Sequence, residues 1–263
     1  MISGYSQPLK TDLERETLKG PVKTVTSYYS QSNPVKDVVN FNDSIGDGVI
    51  TTSFDTLGFI RQRVSQYHNA EESGLRTRFE VYTYTDNYQR LTKNEYAEHD
   101  SLLRSVQTEF DLNGNIKRTT EFTPDGELIK WSLHTYAQEN QNETHMTEYD
   151  LKGKVTGTWL FHRNATKDTL YSTKLGKNGK MLYGYQFIYD AHGNQLSFIH
   201  LDKNHNVFSK TEYTYQSYDE QGNWTKRTIK HSWLDKKTLK WNKKVNIPPT
   251  TYKTQIRTIE YYE

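Results

Sequence analysis

The chain of 263 residues contains no cysteine. Disulfides, thiol nucleophiles and cysteine-ligated zinc are therefore excluded, while the compartment stays open because many envelope proteins lack disulfides. Long apolar runs are also missing, and none approaches the ~18–20 residues of a membrane helix. The opening MISGYSQPLK has neither a basic n-region nor an apolar h-region. The sequence thus reads either as cytoplasmic or as a mature chain from which a leader has been removed. Charge of one sign is lacking as well, since 34 Lys and Arg against 32 Asp and Glu leave +2. Nucleic acid is not expected as a partner. Apolar residues make up only 33%, and the mean hydropathy is −0.94.

What the chain has in quantity is rings: 20 Tyr, 10 Phe and 5 Trp, or 13%. That content argues against disorder. Many rings with few aliphatics suggest a thin or elongated fold with much surface and an amphipathic core. One helix is visible: Thr11-Asp12-Leu13-Glu14 has the capping-box spacing, and Gly20-Pro21 supplies a stop, giving a helix over roughly residues 12–19. After Pro21 the pattern is strand. In MLYGYQFIY, strict alternation puts Met181, Tyr183, Tyr185, Phe187 and Tyr189 on one face. On the order of fifteen short strands at 8–12-residue spacing follow, the all-β pattern.

A six-residue phrase recurs. YDAHGN at 189–194 is echoed by FDLNGN (110–115), YDLKGK (149–154), YDEQGN (218–223) and FDTLGF (54–59), with YTDNYQ (84–89) a weaker copy. Each block closes a strand with an inward aromatic at Phe54, Phe110, Tyr149, Tyr189 or Tyr218. It turns on Asp55, Asp111, Asp150, Asp190 or Asp219, and Gly58, Gly114, Gly153, Gly193 or Gly222 takes the positive φ. A second turn comes twelve residues later, Gly126 after Gly114 and His205 after Gly193, so the unit is a β-hairpin in a tandem array. The fold expected is all-β: an elongated, twisted antiparallel sheet of hairpin repeats behind a short helical cap. Its segments are a cap (1–49), the repeats (50–223) and a basic terminal hairpin (224–263).

The Tyr-Asp-x-x-Gly-Asn phrase, with its second glycine turn and returning Tyr-x-Tyr, resembles the YD-repeat (rearrangement-hotspot) proteins of bacteria. The resemblance covers roughly residues 50–223, and LKGPVKTVTSYY (18–29) looks like the lead-in of small proteins of that type. It implies a secreted or envelope-associated β-structure, carbohydrate binding in some members, and a toxin-enclosing shell in large ones. Here the spacing is looser than their near-20-residue register, and the chain is too short for such a shell.

Chemistry-bearing motifs are sparse. Thr-Glu-Tyr/Phe recurs at 108–110, 120–122, 147–149 and 211–213. Two such carboxylates would suit acid/base work on a glycan, yet the same Glu in every unit reads better as a solvated residue opposite Lys or Arg. His200, Asp202 and His205 form the best metal-like spacing but fall on a turn, and the expectation is no metal and no cofactor. No G-x-S-x-G, P-loop or G-x-G-x-x-G is present. Segment 224–244 is the sharpest candidate. Trp224, Trp233 and Trp241 are interleaved with eight Lys/Arg, among them Lys226, Arg227, Lys230, Lys240 and Lys243, against Asp235 alone. One reading is a surface where rings stack on sugars and cations meet acidic groups. The other is a terminal hairpin whose tryptophans cap the core and whose lysines guard an edge. Alternation sends Lys226 and Lys230 to one side of the strand and Arg227 to the other. The expected role is a non-catalytic binding or scaffold protein of the envelope, partnered by a glycan or another envelope protein. The alternatives are a carbohydrate-binding protein and a glycan-cleaving enzyme.

Overall fold

A computed structural model describes residues 11–31, 48–68, 75–97, 101–137, 142–164, 168–234 and 250–263. Helix α1 is a single turn, Asp12–Arg15. The strands are β1 (Val22–Gln31), β2 (Gly48–Phe54), β3 (Ile60–His68), β4 (Leu75–Tyr84), β5 (Arg90–Tyr96), β6 (Leu102–Phe110), β7 (Ile116–Phe122) and β8 (Leu128–Tyr136). They continue as β9 (Glu143–Tyr149), β10 (Val155–Arg163), β11 (Thr169–Leu175), β12 (Met181–Tyr189), β13 (Gln195–Asp202), β14 (Val207–Tyr218), β15 (Trp224–Trp233) and β16 (Thr250–Tyr261). Each strand pairs antiparallel with its neighbours in sequence, and β1 pairs with β16 from Val22↔Tyr261 to Gln31↔Lys253. The sheet closes.

This corrects the elongated open sheet expected from the sequence. The class is all-β as read, and the hairpins are there, but the array bends round into a sixteen-stranded antiparallel barrel. Strand twist accumulates, and open sheets rarely exceed ~10 strands without curling. Joining first strand to last also removes both edges. At ~4.8 Å per strand the wall measures roughly 80 Å around, too wide for one wall's side chains to fill. The low apolar content reflects this hollow interior rather than a thin slab.

The turns explain the repeated phrase. In FDLNGN the Gly114 N–H donates to Asp111 O (3.0 Å) and Asp111 N–H to Asn115 O (2.9 Å), while Asp111 Oδ1 accepts from the N–H groups of Asn113 and Asn115. Gly114 has φ +80°, and the strand register shifts beside the turn, between Glu109 and Phe110. That is a type I turn followed by a left-handed residue and a bulge, and it needs Asp first and Gly fourth. The same backbone bonds recur at Asp55, Asp150, Asp190 and Asp219. Tyr88 (φ 58°) and His205 (φ 64°) occupy the glycine position in the degenerate copies.

The aromatic half of the phrase behaves less uniformly than expected. Phe54 is buried at 4% exposure, Phe110, Tyr149 and Tyr189 are half-buried, and Tyr218 is 51% exposed. On β14 the inward place near the turn belongs instead to Tyr215, whose hydroxyl donates to Gln195 O at 2.8 Å. Tyr84, Tyr136 and Tyr189 make equivalent bonds to Ile60 O, Ile116 O and Thr169 O, each capping a carbonyl at the start of the preceding strand. The Tyr149 block departs further. Its turn follows an odd-numbered strand and so lies at the opposite end of the barrel from the others, with Tyr149 stacked on Trp131 at 3.9 Å.

Candidate functional site

Which face looks inward is fixed by residues 11–20. Asp12 Oδ1 accepts from Arg90 Nη2 on β5 (2.8 Å), and Asp12 Oδ2 from the Ile60 N–H (3.0 Å) and the Tyr84 hydroxyl (2.6 Å). Five residues on, Thr17 Oγ1 reaches Asn194 Oδ1 in the β12–β13 turn (3.4 Å), and the Lys19 N–H donates to Asn223 Oδ1 in the β14–β15 turn (2.7 Å). From β5 round the wall to β13, past β1 and β16, is eight strand steps, roughly 40 Å, whereas five residues reach at most ~18 Å. The segment therefore crosses the mouth rather than following the rim. Leu13 and Leu18 pack there with Val22, Phe54, Ile60, Tyr82 and Ile259, forming the apolar core at that end. Side chains sharing a face with Arg63, which binds Glu16 of the segment at 3.0 Å, accordingly point into the lumen.

The lumen has two unlike walls. Across β4 to β8 the inward residues form a ladder of alternating charge: Lys93 with Glu80 (2.5 Å) and Glu95 (2.9 Å), then Arg104 with Glu95 (2.7 Å) and Glu121 (3.1 Å), then Lys130 with Glu121 (3.2 Å). Glu95 is 5% exposed, and the Arg104 guanidinium holds its carboxyl down at about 2 against the opposing effect of burial. From β10 to β15 the wall is aromatic. Trp159 lies 5.5 Å from Tyr183 and 6.2 Å from Tyr185, Tyr185 stacks on Phe198 (5.1 Å) and His200 (4.9 Å), and His200 meets Phe208 (4.9 Å). Phe208 in turn meets Trp233 (6.2 Å), which packs on His231 (4.3 Å). Five of these six strands thus present rings to the lumen, and β11 contributes Lys174 between Trp159 and Tyr183.

Toward the plugged end this band runs into a pair of arginines. Arg227 on β15 and Arg257 on β16 both lie over the Trp224 ring, at 4.3 and 3.5 Å from its centroid. Their charges are then at most about 8 Å apart, a repulsion of about 2 kcal/mol or more at an effective dielectric of ~20. Arg227 Nε donates to Gln255 Oε1 (2.7 Å) and Nη1 to the Tyr215 hydroxyl (3.3 Å). The Gln255 amide in turn donates to the Tyr29 hydroxyl (2.9 Å). Arg257 Nε and Nη1 are buried without a hydrogen-bond partner. Burial, with Arg227 second, pulls the Arg257 guanidinium down to about 10.

Of the candidate residues in 224–244, Trp224, Arg227 and Trp233 face the lumen, and Lys226 and Lys230 face outward. The alternation is as read from the sequence. The edge-guarding explanation is corrected, because β15 lies between β14 and β16 and is not an edge. Lys230 instead pairs with Glu212 across the outer face at 3.3 Å. Lys240, Trp241 and Lys243 lie outside the described residues. The repeated glutamates divide: Glu212 faces outward opposite Lys230, as expected, whereas Glu121 and Glu148 face inward, Glu148 bound to Lys174 and to the Trp159 indole N–H (3.1 Å). His200, Asp202 and His205 do not converge. His200 faces the lumen, Asp202 Oδ1 accepts from the Asn204 and Asn206 N–H groups, and His205 is the left-handed residue of that turn. Arg257, Gln255 and Tyr29 were not singled out in the sequence. The available signal was alternation in YKTQIRTIEY, which places Lys253, Gln255 and Arg257 on one face.

No family model matches the chain, and no curated protein matches it. Among solved structures it is similar to a porin-like protein from Bacteroides uniformis (TM-score 0.40, 10% identity, 92% of this chain and 99% of that one). A porin-like protein from Bacteroides vulgatus gives a TM-score of 0.31 at 14% identity, over 74% of this chain and 98% of that one. A TcdB2–TccC3–Cdc42 structure gives 0.27 at 14% identity, with 71% of this chain against 11% of that one. With TM-scores below 0.5, none of these likenesses carries an argument about function.

Proposed function

We propose that the protein is a non-catalytic binding barrel that holds a carbohydrate chain against the aromatic wall of its lumen, in the bacterial envelope or outside the cell. The continuous run of rings from Trp159 to Trp233 supports this reading. Ring faces offer apolar contact to the C–H faces of sugars while leaving hydroxyls free for polar neighbours. The ladder opposite supplies such neighbours. A binding role is favoured over cleavage because the lumenal carboxylates Glu80, Glu95, Glu121 and Glu148 are each tied to a cation, not poised as an unequal acid/base pair.

The outer wall supports a barrel surrounded by water. Gln62, Gln107 and Gln186 are exposed on it, and Lys210, Glu212 and Lys230 form an outward ion trio at mid-strand. A lipid-embedded barrel needs an apolar outer band ~25 Å tall. The test is titration of the purified protein with soluble oligosaccharides, in a panel of neutral and acidic chains. Trp159→Ala and Tyr185→Ala are expected each to weaken binding about tenfold or more, in line with ~1–3 kcal/mol per stacked ring. Absence of binding to every member of the panel, or affinities unchanged in both variants, refutes the reading.

A further inference from the structure

We infer that Arg227 and Arg257 form the receptor for an oxyanion, a carboxylate or sulfate group carried by the lumenal ligand, so that the carbohydrate taken up is an acidic one. This deepens the reading above but stands on separate observations. The first is charge without compensation. Three inward guanidiniums, Arg63, Arg227 and Arg257, gather around Tyr29 together with Glu16, and Glu16 Oε1 is already engaged by Arg63 at 3.0 Å. The hydrogen-bond partners of Arg227 are the neutral Gln255 and Tyr215.

The second observation is the pair of donors left over. Arg257 Nε and Nη1 are buried and unpaired, and leaving a buried charged donor unsatisfied is costly. These two donors lie on different edges of the guanidinium, so an oxyanion accepts from one of them in a charge-assisted hydrogen bond. The third is continuity. Arg227 and Trp233 stand on the same face of β15 six residues apart, about 20 Å along the strand. An extended chain stacked on the aromatic wall therefore brings an acidic substituent within reach of the arginines. The anion offsets one of the two charges that repel each other over Trp224 and so relieves that repulsion.

The test uses the full chain with sodium sulfate and sodium acetate at low-millimolar concentration, against sodium chloride at equal ionic strength. At that level general salt stabilisation is small. Sulfate or acetate is expected to raise Tm by a few degrees over chloride through binding to the folded state. Arg257→Met, which keeps the length of the side chain and removes the charge, is expected to abolish that difference. Anion-free, the variant is expected to be no less stable than the parent, because a buried unpaired charge has gone. The oligosaccharide panel then separates the two readings: acidic chains should lose at least tenfold in affinity in Arg257→Met while neutral chains are unaffected. If neither anion stabilises the parent beyond chloride, or Arg257→Met responds as the parent does, the oxyanion receptor is refuted. Neutral-chain binding through the rings would survive that result.

Discussion

Where glycine holds the fourth place of a hairpin turn it answers two separate demands, and the structure allows them to be measured apart. Gly126 has φ +83° and open space where a Cβ would stand, so Gly126→Ala tests backbone conformation alone. Gly58 has φ +87°, but an added Cβ would meet Leu13 Cδ1 at 2.9 Å. Gly126→Ala should cost about 1 kcal/mol, and Gly58→Ala about 3 kcal/mol because it also displaces Leu13 from the core. Equilibrium denaturation of the two variants checks this, and equal losses would mean that Leu13 moves freely. These positions were legible in the sequence because a turn is a local problem, solved by Asp, Gly and Asn within six residues. The exposure of Tyr218 was not legible. The double bulge between Tyr215 and Tyr218 shifts the inward place to Tyr215, and bulges leave no mark in alternation.

The segment from Thr11 to Gly20 shows how far one element is readable. Its capping box was predicted and is present: Thr11 Oγ1 accepts from the Glu14 N–H (3.2 Å), and the Thr11 N–H donates to Glu14 Oε2 (2.7 Å). The helix itself stops after one turn instead of continuing toward residue 19. Thr17 adopts φ 56°, and the chain leaves the helix to bury Leu18 and reach Asn223. Tertiary partners 200 residues away outweigh local propensity here. Asp12, 2% exposed, is the anchor of the element, with bonds to Ile60, Tyr84 and Arg90. Asp12→Ala should cost about 3 kcal/mol by leaving the Ile60 N–H, the Tyr84 hydroxyl and the half-buried Arg90 guanidinium without their acceptor. It should also make the bond after Arg15 cleavable by trypsin in the native protein. Resistance equal to that of the parent would show that the anchor lies elsewhere.

At the scale of the whole barrel, titration links the two walls. His134, half-buried and next to Arg163, has its imidazole held down to about 4, burial being the larger cause. Burial also lowers His200 and His231. Because these groups take up protons more readily unfolded, they stabilise the fold above ~6.5, and the stability is lost as pH falls from there toward 4. Glu95, held at about 2, adds a second loss that begins near ~4.3 and runs toward 2. Tm against pH should therefore fall in two stages, and His134→Gln should lessen the first while leaving the second. A single-stage curve unchanged by that substitution would contradict the assignment. Of the molecule at this scale, the sequence disclosed class and hairpin order but not closure. The β1–β16 seam joins residues more than 200 apart with no local signature, and the arginine pair depends on that seam, since Arg257 stands opposite Ser27 across it.

The seam also dictates an order of events in biosynthesis. A strand array made from one end to the other cannot close until its last strand is available, and here the last strand supplies the partner of the first. While the intervening hairpins emerge, β1 has one side unmatched, and the growing tip of the sheet presents another. Closure then requires a search across nearly the full chain length, the kind of non-local step that slows folding. During that interval the nascent sheet is a template for its own copies, and yield should depend on how quickly the last twelve-residue strand arrives.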